Sequence, residues 1–373
     1  MIYFDNAATS FIKPKIVKNA VIEAINFYTA NPGRSGHTLS QRVAEKIFDT
    51  REKVKDFFGA KHHSLIFTKN CTEALNLAIL GTLKNGDHVI VSCYEHNSIL
   101  RPLEHKKSEG VEVSVLWCDL KDFKSELEKN IRSNTKLVIT TMVSNVTGDV
   151  CDVSNVAKIC KKYNLLYLVD GAQASGHMCI NLEKLGVDMF AFAGHKGLLA
   201  TTGVGGLIVR DGVKLNPIMY GGTGTYSEDL SQPIDSVEGF ESGTIATIPI
   251  LSLSAGVDFL NKNFEKIIKI EQNLSKYLYK MLKKLNFLEI YSSEDSLNVV
   301  SFNIKNMDSI MVANVLNEDY NICVRAGLHC APLIHKKLGT LERGAVRVSL
   351  DYNNTKEEID YLIYALKNIN RDV

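Results

Sequence analysis

Two stretches decide the fold: Leu165-Leu166-Tyr167-Leu168-Val169-Asp170-Gly171-Ala172-Gln173 and Asp188-Met189-Phe190-Ala191-Phe192-Ala193-Gly194-His195-Lys196-Gly197. Each is a short apolar run without polar alternation, as expected of a strand buried on both faces of a largely parallel sheet. Each ends in small and polar residues. In open α/β sheets ligands bind outside the carboxyl ends of the strands, which is where Asp170 and Lys196 fall. Working outward, strands are expected at 64–68, 88–92, 112–116, 136–143, 165–170, 188–193 and 204–209. Helical spacing lies between them, as in Val43, Ala44, Ile47, Val54 and Phe57. Strands alternating with helices define an α/β domain.

Beyond a Gly-rich, polar stretch at 221–243 a long helical pattern follows Pro249 towards Leu285, with Gly256 a candidate interruption. Short strands near 287–291, 298–304, 322–325 and 346–350 then mix with helices near 309–316 and 356–369. The expected organisation is an N-terminal segment (1–15) packing with the small domain, a large α/β domain (16–245) and a small α+β domain (246–373).

The chain has 373 residues, and its 43 Lys+Arg balance 42 Asp+Glu in an interspersed pattern. That balance argues against nucleic-acid or membrane-surface binding driven by bulk charge. No apolar run is long enough to span a bilayer. The eight cysteines, at 71, 93, 118, 151, 160, 179, 323 and 330, form no CxxC pair and no regular framework. Scattered thiols suggest a reducing compartment, and Met1-Ile2-Tyr3-Phe4-Asp5 lacks the pattern of a signal peptide. A cytoplasmic protein without a metal site is expected.

Taken alone, Asp170 reads equally as a helix cap or turn residue, and Lys196 as a solvated loop lysine. Together they suggest more. A desolvated lysine between small residues is an amine nucleophile, and a carboxylate from the adjacent crossover unit can hold the pyridine nitrogen of pyridoxal phosphate protonated. Thr68-Lys69-Asn70-Cys71-Thr72-Glu73-Ala74 passes from strand to helix, where amides and the Thr72 hydroxyl suit an anion; Thr72 also fits an ordinary helix cap. His96 follows another strand and can stack on a flat cofactor and shuttle protons, or simply lie at the surface. Cys330 has Arg325, His329, His335, Lys336 and Lys337 nearby in sequence, and cationic surroundings favour a thiolate. The other cysteines read as inert thiols, with Cys71 set apart by its place beside the anion site.

Further stretches extend the pattern: Tyr3-Phe4-Asp5-Asn6-Ala7-Ala8-Thr9, Arg34-Ser35-Gly36-His37, Cys71-Thr72-Glu73, Glu95-His96, Ser144-Asn145-Val146-Thr147-Gly148, Phe240-Glu241-Ser242-Gly243-Thr244, Arg325-Ala326-Gly327-Leu328-His329-Cys330 and Arg347-Val348-Ser349-Leu350. With the two opening stretches, their order and spacing resemble the class V aminotransferase family of fold-type I pyridoxal-phosphate enzymes, and within it the cysteine desulfurases. The Arg-x-Gly-x-His-Cys context is similar to the second desulfurase group, which includes selenocysteine lyase-like enzymes. The resemblance implies a large domain with a mainly parallel seven-stranded sheet plus a smaller α+β C-terminal domain.

It also implies roles. Lys196 would form the Schiff base with pyridoxal 5'-phosphate, Asp170 would pair with the pyridinium nitrogen and Gln173 with the phenolic oxygen, and His96 would stack on the ring. Thr72 and His195 would hold the phosphate, Cys71 would lie beside it, and Thr244 would join from the other subunit of a homodimer. Asn145 and Arg347, with Arg325 nearby, would bind the substrate carboxylate. Cys330 would take sulfur from L-cysteine as a persulfide, release L-alanine and pass the sulfur to an acceptor protein for iron–sulfur assembly, tRNA thiolation or selenium supply. Competing readings are a selenocysteine lyase, another class V aminotransferase or β-lyase, and a degenerate sulfur-transfer scaffold. Two positions depart from the family: Ala193 stands where relatives often carry a hydroxyl, and Cys71 where a small residue or Thr is usual.

Overall fold

The computed structural model describes residues 1–32, 36–225 and 228–371. Arg34 and Ser35 of the Arg34-Ser35-Gly36-His37 stretch lie outside the described residues. In chain order the strands are β1 (Ile2–Tyr3), β2 (His63–Thr68), β3 (His88–Ser92), β4 (Glu112–Leu116), β5 (Thr135–Thr141), β6 (Leu166–Asp170), β7 (Met189–Ala193), β8 (Gly205–Arg210), β9 (Leu288–Ile290), β10 (Val299–Ile304), β11 (Ile322–Cys323), β12 (Arg325–Gly327) and β13 (Ala345–Ser349). The helices are α1 (Lys15–Phe27), α2 (Thr38–Phe57), α3 (Cys71–Thr82), α4 (Asn97–Ser108), α5 (Phe123–Asn130), α6 (Val153–Lys162), α7 (Leu182–Leu185), α8 (Thr247–Leu282), α9 (Ser309–Tyr320), α10 (Pro332–Leu338) and α11 (Lys356–Ile369).

Seven strands form one sheet in the order β2-β8-β7-β6-β5-β3-β4. β8 runs antiparallel to both its neighbours, β2 and β7, and the remaining pairs are parallel. The sheet is buried on both faces. Val138, Tyr167, Val169, Phe190 and Phe192 enter one apolar layer, while Leu137, Ile139, Leu168, Met189 and Ala191 enter the other. This explains why the deciding runs show no alternation. Strand order reverses between β3 and β5, so a crevice opens at their carboxyl ends, the place where such sheets bind ligands.

The second sheet, β12-β13-β10-β9, is antiparallel, and β1 pairs in parallel with β11. The N-terminal strand is thereby tied to the C-terminal part of the chain. Helix α8 serves both cores: Ile250, Leu253, Val257 and Leu260 pack with the large sheet, and Leu274, Leu278 and Leu282 with the small one. Its 36 residues run without a break. Gly256 answers a different need, since a Cβ there would lie 2.1 Å from the carbonyl oxygen of Leu198, in the loop just after Lys196. Among the described residues no helix is long and apolar enough to cross a membrane.

Candidate active site

Asp170 ends β6 and is buried at the edge of the crevice. Its Oδ1 accepts from the Ala172 amide at 2.9 Å and from the Cys71 thiol at 3.6 Å. Burial, reinforced by the Asp170 charge, pushes the Cys71 thiol well up, so it stays protonated and donates. Gln173, two residues beyond Ala172's neighbour Gly171, donates from Nε2 to the carbonyl of Ala7 at 3.0 Å. Lys196 lies on the turn after β7. That turn sits so close to residues 175–177 that a Cβ on Gly176 would meet the Gly197 oxygen at 2.2 Å. Burial lowers the pKa of Lys196, partly offset by Asp170, which raises the share of neutral amine.

The anion end is built at the start of α3. Asn70 is its N-cap, its Oδ1 accepting from the Glu73 amide at 2.9 Å. Thr72 is therefore the second residue inside the helix and its hydroxyl is released from capping. The amides of Cys71 and Thr72 belong to the first turn, whose N–H groups have no acceptor within the helix. The Thr72 hydroxyl lies 2.7 Å from that of Ser98, which in turn lies 2.9 Å from His96 Nδ1. His96 caps α4: its Nδ1 accepts from the Ser98 amide at 3.1 Å. That bond places the proton of the neutral ring on Nε2. Burial pushes the pKa of His96 down to about 4, against the opposing pull of Asp170. His195 is likewise pushed down to about 4, by burial and then by Lys196 and Lys13, and its Nδ1 is buried with no partner among the described residues.

The opposite wall comes from the small domain. Arg347 on β13 is 2 % exposed. It donates to the Asn145 carbonyl at 3.0 Å and to Asp5 at 2.8 Å, while Nε is buried and unpaired among the described residues. The Asn145 side chain donates to the carbonyl of His329 at 2.7 Å. Cys330 is exposed, and its carbonyl accepts from the Asn97 amide at 2.7 Å.

One cavity of about 250 Å³ gathers Lys196, Asp170, Gln173, His96, Thr72, Cys71, His195, Asn145, Arg347, Arg325 and Cys330, with Ala193 in its wall. Thr244 stands apart. It is exposed and lines a separate pocket with Thr68, Lys69 and Glu73. Its segment is anchored by Glu241, which grips Arg51 through two bonds of 2.8 and 2.9 Å and accepts from the Phe67 amide.

The cationic cluster expected around Cys330 is not assembled. Lys337 pairs with Asp119, Lys336 lies over Trp117, and burial pushes His335 down to about 4 and His329 well below the usual histidine range. Of the five, Arg325 and His329 line the cavity. Three contributors escaped the sequence reading. Ser98 bridges Thr72 and His96, Asp5 pairs with Arg347, and Ser10 donates to the carbonyls of both His195 and Lys196. The clustering of Asp5 and Ser10 in one N-terminal segment was the available signal.

The donors fit pyridoxal phosphate. First-turn amides, the Thr72 hydroxyl and the unpaired His195 Nδ1 suit a phosphate, while Asp170 suits a protonated ring nitrogen and Lys196 an aldehyde. The chain belongs to the class V aminotransferase family, whose sequence pattern it matches over residues 2–362; members of this class use pyridoxal phosphate. Within the class, it is similar to several cysteine desulfurases. A probable cysteine desulfurase of Methanothermobacter thermautotrophicus is 36% identical over 99% of this chain and 94% of its own length. One of Pyrococcus abyssi is 35% identical over 99% of this chain and 94% of its own. The solved cysteine desulfurase of Thermococcus onnurineus NA1 superposes with a TM-score of 0.92 at 35% identity, covering 100% of this chain and 95% of that one.

Proposed function

We propose that the protein is a pyridoxal-phosphate-dependent cysteine desulfurase that takes the sulfur of L-cysteine onto Cys330 and releases L-alanine. The observation that carries this reading is the opening of one exposed thiol, Cys330, onto the cavity that holds Lys196 and Asp170. An aminotransferase or β-lyase needs the lysine and the carboxylate but has no use for the thiol.

Bound pyridoxal phosphate would supply an electron sink that makes the substrate α-proton removable and allows the carbon–sulfur bond to break. Asp170 would pair with the ring nitrogen and keep it protonated. Lys196, with its depressed pKa, accepts the α-proton as a neutral amine. Arg347 offers its unpaired Nε to the substrate carboxylate, held in place by Asp5 and Asn145. Because Ser98 occupies His96 Nδ1, the imidazole carries its proton on Nε2 and acts as donor. The Cys330 thiolate attacks the substrate sulfur: an S–S bond forms, the Cβ–S bond breaks, and the electron pair stays with the carbon fragment. Protonation of that fragment gives alanine.

The exposure of Cys330 supports delivery of the persulfide sulfur to an acceptor protein. Homodimerisation is supported by exposed Ile22, Ile25 and Phe27 on α1, Phe48 on α2, and Tyr220 and Leu230. A second copy would bring Thr244 to its neighbour's phosphate site; a monomer in sedimentation analysis would remove this element.

The test is product analysis with L-cysteine. Wild type is expected to yield alanine and a persulfide, and Cys330→Ala to lose turnover by about a hundredfold or more while still binding the cofactor. Pyruvate with ammonia as the products, or cysteine turnover undiminished in the variant, would overturn the proposal. Alanine formation from L-selenocysteine that survives in the variant would assign selenium release to the cavity without the thiol.

A further inference from the structure

His329 and Cys330 are consecutive non-glycine residues with φ of +50° and +56°. Side chains disfavour this left-handed backbone, so the turn persists only where its surroundings hold it. Two carbonyl contacts hold it from the cavity side, Asn145 on His329 and Asn97 on Cys330. A third hold comes from inside the small domain.

The His329 ring is buried, with Nε2 3.4 Å from the Arg325 carbonyl and Nδ1 3.3 Å from Nε2 of His335. His335 is fully buried, and its Nδ1 lies 2.8 Å from the hydroxyl of Thr340. The Arg325 carbonyl can only accept, so His329 carries its proton on Nε2 and accepts at Nδ1. His335 must then donate from Nε2 and accept at Nδ1 from Thr340. The chain runs in one direction with both rings neutral, in keeping with the downward shifts that burial gives them. Neither His335 nor Thr340 lines the active-site cavity; the His329 ring is the hydrogen-bonded link between them and the Cys330 turn.

We infer that Thr340 and His335 are positioning residues for the reactive thiol: their hydrogen-bond chain locks the His329 ring and with it the left-handed turn that presents Cys330. This deepens the desulfurase reading, resting on it for the role of Cys330.

Iodoacetamide labelling of the holoenzyme, mapped by mass spectrometry, tests the chain without using activity, because exposed Cys179 is an internal reference. Thr340→Val removes the terminal donor. The Cys330/Cys179 labelling ratio is expected to rise by several-fold, up to about tenfold, the population shift an ordinary buried hydrogen bond is worth. In the same variant kcat for L-cysteine is expected to fall by a similar factor with KM and cofactor absorbance held. Thr340→Ser keeps the hydroxyl and is expected to restore both readings. An unchanged ratio in Thr340→Val, or a serine variant that behaves like the valine one, would overturn the inference. Histidine ring-nitrogen NMR of the unmutated protein serves where the variant does not fold: neutral Nε2–H forms of both His329 and His335 at pH 6 are required, and a charged ring or an Nδ1–H form of His329 refutes the chain. Failure of the Cys330→Ala experiment would instead remove the desulfurase reading and leave the labelling result standing.

Discussion

The two ends of the active-site cavity are held by different means. At the cofactor end Asp170 closes β6, Lys196 follows β7, and Thr72 opens α3, so regular hydrogen-bond ladders and a helix start set each position. At the cysteine end the thiol rides on two left-handed residues between β12 and α10, held by single contacts from Asn145, Asn97 and His335. Parts fixed by a sheet resist displacement, whereas a turn held by separate contacts opens at lower cost. The chemistry asks for that asymmetry. Under the proposed function a cofactor must stay put, while a thiol that receives sulfur inside and surrenders it outside must be presented at the surface.

Lys196→Ala breaks one end only. Turnover of L-cysteine is expected to fall by about ten-thousandfold or more, since the proposed function has this residue both anchor the cofactor and move the proton. Iodoacetamide labelling of Cys330 relative to Cys179 is expected to stay within twofold of wild type in cofactor-free samples of both proteins, on the order of the scatter between unperturbed sites. A large change in that ratio would show that the ends are not separable.

Arg347 is where the ends meet, and Arg347→Lys sharpens the contrast. A lysine ammonium cannot serve Asp5, the Asn145 carbonyl and a substrate carboxylate from one plane as the guanidinium does. KM for L-cysteine is expected to rise by about tenfold, with kcat changed less, a difference worth roughly one charge-assisted hydrogen bond. Steady-state kinetics decide this, and an unchanged KM would place the substrate carboxylate on Arg325 instead.

The same contrast explains what was legible beforehand. The strand ends could be read because an apolar run without alternation stops abruptly at Asp170 and at Gly194-His195-Lys196, and the sheet makes that stop a position in space. The antiparallel course of β8 could not, since its residues are as apolar as those of its parallel neighbours. Gly256 reads as a helix break, but it answers the approach of the Leu198 carbonyl from a loop distant in sequence. The surroundings of Cys330 were misread for a related reason. Sequence proximity places five basic residues beside the thiol, but side-chain direction sends Lys337 to Asp119 and Lys336 to Trp117, and burial discharges both histidines. A left-handed pair without glycine leaves no signature in composition. Thr72 was ambiguous until Asn70 proved to be the cap.

The smallest effect concerns Glu95, buried behind His96 at the cofactor end. Its Oε1 accepts from the Thr141 amide at 2.9 Å and from the Ser92 hydroxyl, while Oε2 is buried without a partner among the described residues. Burial pushes its pKa up to about 8, with Asp170 adding to the effect and the Ser92 and Thr141 hydrogen bonds opposing it. The folded protein therefore keeps a proton that the unfolded chain, with an ordinary glutamate near pH 4.3, has already lost. Stability from this group is complete below about pH 4.3 and declines as pH rises towards about 8, with no further loss above. Glu95→Gln mimics the neutral acid and keeps an acceptor oxygen for Thr141. In cofactor-free protein its Tm is expected to match wild type near pH 5 and to exceed it by a few degrees near pH 8.5, an increment of up to about 4 kcal/mol for a pKa rise of that size. Cys330 labelling is expected to be unaffected at either pH, since nothing at the cysteine end depends on this carboxyl. Parallel melting profiles for the two proteins from pH 5 to 8.5 would show that Glu95 is ionised in the fold, and that the cofactor end carries a buried charge where the structure provides only two hydrogen bonds for it.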